Sequence, residues 1–377
     1  MTIPKTYFQM ISELDATGEL QLRLAEHAMP EPEVNEVLVR IEAAPINPSD
    51  QGAMFGWASI EKAETSGTGA NTVLHIPVSQ RGMQAMAATT GQAMPVGNEG
   101  CGTVVSAGEN AQHLMGKLVG LMGGGMYAQY RLINAAMCLP LGPEHTAREG
   151  AACFVNPLTT LSMLETMRRE GHSALVHTAA ASNLGQMLNR LCQTDGVHLV
   201  NVVRSDAQAQ LLRDQGAAYV VNSSNDSFMQ ELTDAIHETG ATLAFDATGG
   251  GHLASDILTA MEAAETRGPG AHGFYGSATH KQVYLYGTLD LSDTVLTRRY
   301  GWAWGVGSWL LPNFLARVGN KVATEMRARV VRELTTTFSN PYTAEISLSE
   351  ALKADIVLRY NAKKTGEKFL INPQLAF

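Results

Sequence analysis

The residues with the clearest chemical meaning cluster where an apolar run meets a turn of small residues. Leu175-Val176-His177-Thr178 reads as a strand, Ala179-Ala180-Ala181-Ser182-Asn183-Leu184-Gly185 as a turn, and Gln186-Met187-Leu188-Asn189-Arg190-Leu191-Cys192 as a helix. Small residues at a strand-to-helix junction let backbone N–H groups approach a diphosphate, and the positive end of the helix dipole stabilises its charge. Ala180, Ser182, Asn183 and Leu184 are therefore candidate cofactor-binding residues. Two positions where glycine is usual hold alanine, so a plain strand–turn–helix carries the same residues and both readings stand.

A second strand, Asn201-Val202-Val203-Arg204-Ser205, ends in a cation. A carboxylate at that place would hold a ribose 2′-hydroxyl, whereas Arg204 suits a 2′-phosphate and points to NADPH rather than NADH. The alternative is a solvated strand-end charge. Phe245-Asp246-Ala247-Thr248-Gly249-Gly250 and Leu285-Tyr286-Gly287 follow two further strand-like runs. Thr248, Gly249, Tyr286 and Gly287 would then lie at the carboxyl edge of a sheet, where ligands of open α/β sheets bind.

The elements that must position these residues alternate in type. From residue 158, compact β-branched runs (174–178, 197–203, 218–222, 242–246 and 283–286) are separated by helical stretches such as 207–215 and 227–238. Each pair takes roughly the thirty residues of a βαβ unit, which implies a doubly wound parallel sheet. Residues 267–282 are Gly-rich and read as an exposed loop. Residues 21–42 and 100–139 are short alternating runs punctuated by Gly, Pro and Asn, the texture of a mostly β domain. Between them, residues 57–95 read as an insertion with some helix, a candidate lid. After residue 298 the alternation fades, and the tail reads as helix plus closing strands that return to the first domain. The expected division is 1–153 with 299–377 as the β-rich catalytic domain, and 154–298 as the nucleotide-binding domain.

Composition fits this picture. A chain of 377 residues exceeds what one core normally serves, and 45% hydrophobic against 17% charged residues supports packed domains. The formal charge of −9, with no dense basic block, excludes nucleic acid and anionic membrane surfaces as expected partners. The N-terminal residues lack a secretory pattern, and the apolar stretch 301–311 is interrupted by Gly305 and Gly307, so a soluble protein is expected. Four cysteines without short paired spacing form neither a disulfide framework nor a zinc cluster, which fits a reducing cytoplasm.

Several stretches in this order resemble the medium-chain dehydrogenase/reductase superfamily, specifically its zinc-independent quinone oxidoreductase and enoyl reductase branches. They are Ile46-Asn47-Pro48-Ser49-Asp50, Val96-Gly97-Asn98-Glu99-Gly100, Gly125-Met126-Tyr127-Ala128-Gln129-Tyr130, Val155-Asn156-Pro157-Leu158-Thr159 and Ser182-Asn183-Leu184-Gly185. The resemblance implies a Rossmann nucleotide-binding domain with a GroES-like, mostly β catalytic domain, an NADPH cofactor, and a homodimer formed near residues 283–295. In zinc-bearing relatives a Cys would stand at Asn47 and a His at Asn98, so no metal site is expected from these segments. Without a Lewis acid, hydride delivery to an already polarised quinone or α,β-unsaturated carbonyl is the expected chemistry. The resemblance places Asn47 and Thr159 in the catalytic site and Asn156 beside the cofactor. The enoyl reductase branch has a Tyr proton donor shortly after its Asn-Pro-x-Asp segment, where this chain has Met54-Phe55-Gly56-Trp57. Tyr127 is the candidate substitute. Two alternatives remain: a 2-enoyl thioester reductase, and a non-catalytic NADPH-binding protein.

Overall fold

The computed structural model describes residues 3–267 and 274–377. The chain divides into two compact units, Met1–Val155 with Arg329–Phe377, and Asn156–Ala328. No helix among the described residues is long and apolar enough to cross a membrane.

The first unit is built on antiparallel pairing. Thr6–Leu14 and Glu19–Ala28 pair along their whole length, from Thr6 opposite Ala28 to Leu14 opposite Leu20. Alternation decides which face is buried: Leu20, Leu22 and Leu24 point into the core while the residues between them do not. A second sheet runs in the order Cys138–Pro140, Leu118–Met122, Glu99–Ala107, Glu36–Pro45, Phe369–Ile371, Ala344–Ile346, with Tyr130–Asn134 also on Glu36–Pro45. The tail thus closes this sheet through Leu370 opposite Pro45 and Ile371 opposite Ala44.

Residues 57–95 hold strands as well as helix. Val73–Pro77 pairs with Glu19–Ala28, and Glu64–Ser66 pairs with Val73–Pro77, so these two strands of the segment widen the first sheet. Leu74 and Ile76 account for this, since both are fully buried on one face of their strand. A short α-helix, Gln80–Ala85, and three 3-10 turns, Ile60–Lys62, Gly69–Asn71 and Ala87–Thr89, supply the expected helical part.

The second unit is a six-stranded, all-parallel sheet. Its order is Tyr219–Asn222, His198–Val203, Ala174–His177, Leu243–Asp246, Lys281–Leu285, Trp304–Ser308. Numbered along the chain this is 3-2-1-4-5-6, the doubly wound arrangement that reverses direction beside its first strand and opens a ligand crevice there. The five expected strands are present. The sixth, Trp304-Gly305-Val306-Gly307-Ser308, was not expected, because two glycines in five residues give it a poor strand signature. Its parallel pairing with Lys281–Leu285 keeps residues 299–328 in this unit, so the return to the first unit falls at Arg329 rather than at 299. The same strand is one of the sheet's two edges, Tyr219–Asn222 being the other; of residues 283–295, expected at the dimer edge, 283–285 are interior and Asp290–Thr294 pairs with Gly249–Gly251. Of the loop expected over 267–282, residues 268–273 lie outside the described residues.

Candidate functional site

The turn after Ala174–His177 is held from below by one buried hydrogen-bond chain. Thr178 Oγ1 donates to Asp246 Oδ1 at 2.6 Å and accepts from the N–H of Ala247 at 2.8 Å. The Asp246 carboxylate also accepts from the N–H groups of Thr248 at 2.8 Å and Gly249 at 3.1 Å. First and fourth strands therefore end in one rigid assembly. Above it, Ala179 has φ 50°, a left-handed conformation rare for a residue with a Cβ and costing of order 1 kcal/mol or more. Strained backbone that persists in an otherwise regular unit is a pointer to function.

Ser182 then caps the helix Asn183–Asp195, its Oγ accepting from the N–H of Gly185 at 3.1 Å. Gly185 packs so close to Ala180 that a Cβ there would collide with the Ala180 carbonyl oxygen. Ser182 and Gly185 satisfy each other, which leaves the N–H groups of Asn183 and Leu184 without an acceptor among the described residues. Two bare donors at the positive end of a 13-residue helix form an anion cradle. One expectation needs correcting. The N–H of Ala180 donates to the Val202 carbonyl at 3.1 Å, so Ala180 contributes its small size and not a donor.

Arg204 follows the strand His198–Val203 and is exposed. Its backbone is fixed, the N–H donating to Gln208 Oε1 at 3.1 Å and the carbonyl accepting from Ser224 Oγ at 2.9 Å. Its guanidinium makes no ion pair among the described residues. A surface cation whose base is anchored and whose head is unengaged suits a phosphate.

At the same edge, the N–H of Tyr286 donates to the Asp246 carbonyl at 3.0 Å, and those of Leu289 and Asp290 donate to Ala247 and Thr248. Gly287 approaches the Ala247 carbonyl so closely that a Cβ at 287 would sit 2.5 Å from it. Thr248, Gly249, Tyr286 and Gly287 are thus brought together as expected from sequence. Asn156 and Thr159 lie one turn apart on the helix Val155–Arg169 and are mostly buried. Asn156 is 8% exposed and its side chain makes no hydrogen bond among the described residues.

In the first unit, Asn47 sits in a fully enclosed polar cluster. Its Nδ2 donates to Glu99 Oε1 at 2.8 Å, and its Oδ1 accepts from Lys368 Nζ at 3.0 Å. The other oxygen of Glu99 accepts from the N–H groups of Phe154 and Val155. Asp50 accepts from the N–H groups of Asn47 and Asn98, both at 2.7 Å. Burial pushes the Asp50 carboxyl up to about 7, against the pull of those two N–H groups. Burial likewise pushes the Lys368 ammonium down to about 8, with the Glu99 and Asp50 charges working the other way. The second amide hydrogen of Asn47 makes no hydrogen bond among the described residues. Sequence reasoning assigned no role to Asp50, Glu99 or Lys368; the first two lay within quoted motifs, but nothing local ties Lys368 to them.

Tyr127 is corrected. It is fully buried, and its hydroxyl donates to the Pro45 carbonyl at 2.9 Å. The phenol is enclosed in the core and its proton is engaged by a backbone carbonyl, so the hydroxyl is tied into the fold. Phe55 is also buried, stacked on Tyr360 with ring centroids 6.2 Å apart. Among the described residues no group of three or more His, Cys, Asp or Glu is arranged to hold a metal.

No family model matches the chain. Mouse prostaglandin reductase-3 is 28% identical over 169 residues, 43% of this chain and 44% of that protein. A mitochondrial enoyl-[acyl-carrier-protein] reductase of Arabidopsis thaliana is 26% identical over 286 residues, 73% of this chain and 66% of that one. The chain thus spans less than two thirds of the length of these curated relatives. A candidate NADPH:quinone reductase from Mesorhizobium loti matches in structure with a TM-score of 0.74 and 25% identity, covering 99% of this chain and 100% of its own. An enoyl thioester reductase from Candida tropicalis matches with a TM-score of 0.67 and 19% identity, covering 97% and 99%, a likeness of fold alone.

A Rossmann sheet that bares a helix N-terminus at its first turn, in one chain with a GroES-like, mostly β unit, defines the two-domain dehydrogenase/reductase architecture. Within that class, the chain is similar to proteins named as NADPH:quinone, prostaglandin and enoyl reductases.

Proposed function

We propose that the protein is an NADPH-dependent, zinc-independent reductase that transfers hydride to a quinone or an α,β-unsaturated carbonyl. The observation that carries this reading is the pair of unengaged N–H groups at Asn183 and Leu184, set by a turn that admits no side chain at Gly185. The residues fit the cofactor: these N–H groups would hold the pyrophosphate and the Ser182 hydroxyl proton would support them. Arg204 would hold the 2′-phosphate, while Thr248, Gly249, Tyr286 and Gly287 would shape the nicotinamide end. The bound cofactor supplies a hydride; everything else is the task of this chain. Asn156 and Thr159 would orient the nicotinamide, and Asn47 would offer its second amide hydrogen to the substrate oxygen. The proton that completes the reduction comes from water.

Neighbours crystallised with NADPH or NADP, and relatives named as NADPH:quinone, prostaglandin and enoyl reductases, support this assignment. The unit Asn156–Ala328 would be the nucleotide-binding domain and the remainder the catalytic one. A cytoplasmic homodimer that pairs through the free edge Trp304–Ser308 completes the proposal, with no nucleic-acid or membrane partner. The relatives named as enoyl reductases favour a second reading, 2-enoyl thioester reduction, which the buried Phe55 opposes because it supplies no hydroxyl. Steady-state assays with NADPH against 1,2- and 1,4-quinones, small enones and crotonyl thioesters separate the two. Turnover of quinones or enones alone supports the first reading, and crotonyl thioester turnover alone the second. NADPH binding with no turnover across the panel would leave a non-catalytic nucleotide-binding protein.

A further inference from the structure

His177 ends the first strand of the Rossmann sheet and is fully buried. Its Nε2 lies 2.7 Å from the Tyr286 hydroxyl, and the two rings stack with centroids 5.7 Å apart at 26°. Its Nδ1 is buried with no hydrogen-bond partner. Burial keeps the ring neutral, pushing its pKa down to about 3, so one ring nitrogen carries the only hydrogen. A hydrogen on Nδ1 would be a buried donor with no acceptor, the rarer and costlier kind of orphan. A hydrogen on Nε2 leaves an unfilled lone pair at Nδ1 and moves the unpaired donor from the fully buried imidazole to the hydroxyl of Tyr286, a residue only partly buried, where a ligand can reach it.

Nε2–H therefore donates to the Tyr286 oxygen, and the phenolic proton is left with no acceptor among the described residues. Burial holds that phenol well above its ordinary range, so it stays protonated and acts as a hydrogen-bond donor, not as an acid. The edge of the Phe245 ring, 6.5 Å away at 74°, helps fix its direction. Tyr286 directly follows the strand Lys281–Leu285, beside the Asp246–Gly249 turn at the carboxyl edge of the sheet.

We propose that His177 is a positioning residue for Tyr286, and that Tyr286 donates its free hydroxyl proton to the carboxamide oxygen of the nicotinamide. The inference rests on the NADPH reading above and adds which end of the cofactor this pair recognises, and through which atom.

Calorimetric titration of the full chain with NADPH, and separately with adenosine 2′,5′-bisphosphate, tests it. The second ligand has the 2′-phosphate but no nicotinamide. Tyr286→Phe should weaken NADPH about tenfold, the loss of one hydrogen bond of roughly 1.4 kcal/mol, and leave the bisphosphate unchanged. His177→Phe should reproduce the loss, the double variant should bind no more weakly than either single one, and His177→Gln, which keeps an N–H donor, should recover part of it. Wild-type NADPH affinity in Tyr286→Phe, or equal weakening of both ligands, overturns the proposal while leaving the NADPH reading intact. If the wild type binds neither ligand, that reading fails first and this inference with it.

Discussion

The Lys368 ammonium lies 3.0 Å from the Asn47 amide oxygen, joining residues 321 positions apart in the chain. With Glu99 on the other end of the same amide, the three side chains form a buried acid–amide–base chain in which each group satisfies the next. Such a network is worth little against an apolar substitute, yet removing one member leaves an uncompensated buried charge.

Lys368→Ala should therefore destabilise the protein by about 3–5 kcal/mol. Urea denaturation at neutral pH measures it. A loss under about 1 kcal/mol would show that Glu99 is already neutral in the folded state.

Gly185→Ala adds the one methyl group that the phosphate turn has no room for. Overpacking of this kind costs about 1–3 kcal/mol, and the turn must open to relieve it. NADPH affinity should fall at least tenfold by calorimetry, more than the melting temperature alone would suggest. Unchanged affinity would remove the turn from the binding site.

Arg204→Ala should lower the preference for NADPH over NADH by roughly 10- to 100-fold, the range of a charge-assisted hydrogen bond. The check is kcat/KM with each cofactor. NADH values should hardly move, and equal use of both cofactors before and after the change sinks the assignment.

His177 also sets an acid limit. Its folded pKa of about 3 lies below the ordinary 6.5, so between these values the unfolded chain binds the extra proton. Stability from this group is fully present above pH 6.5 and is lost as pH falls toward 3. In His177→Gln the midpoint of acid unfolding, followed by circular dichroism, should move to lower pH; a midpoint that stays put would mean that other groups set the limit.

Trp302 and Leu310 flank the free edge Trp304–Ser308 and are 79% and 55% exposed. The double variant Trp302→Glu/Leu310→Glu should sediment as a monomer where the unaltered protein sediments as a dimer, with its circular dichroism unchanged. A monomeric unaltered protein refutes pairing through this edge.

Local pattern along the chain dictates five parallel strands and their helices, the small-residue turn after Thr178, the cation ending the second strand, and the strand-end residues Thr248, Gly249, Tyr286 and Gly287. These features depend on side-chain period and backbone sterics within a few residues, so they are legible along the chain. Tertiary structure decided the rest. The Gly-rich strand Trp304–Ser308 exists because Lys281–Leu285 offers it a partner, and two strands of the segment 57–95 widen a sheet because Leu74 and Ile76 find a core. Whether a polar group is free is a question of distant neighbours: Ala180 gives its N–H to Val202, Tyr127 its hydroxyl to Pro45, and Lys368 its charge to Asn47. No local signal carries such pairings, because burial and hydrogen bonding join atoms that only the folded chain brings together.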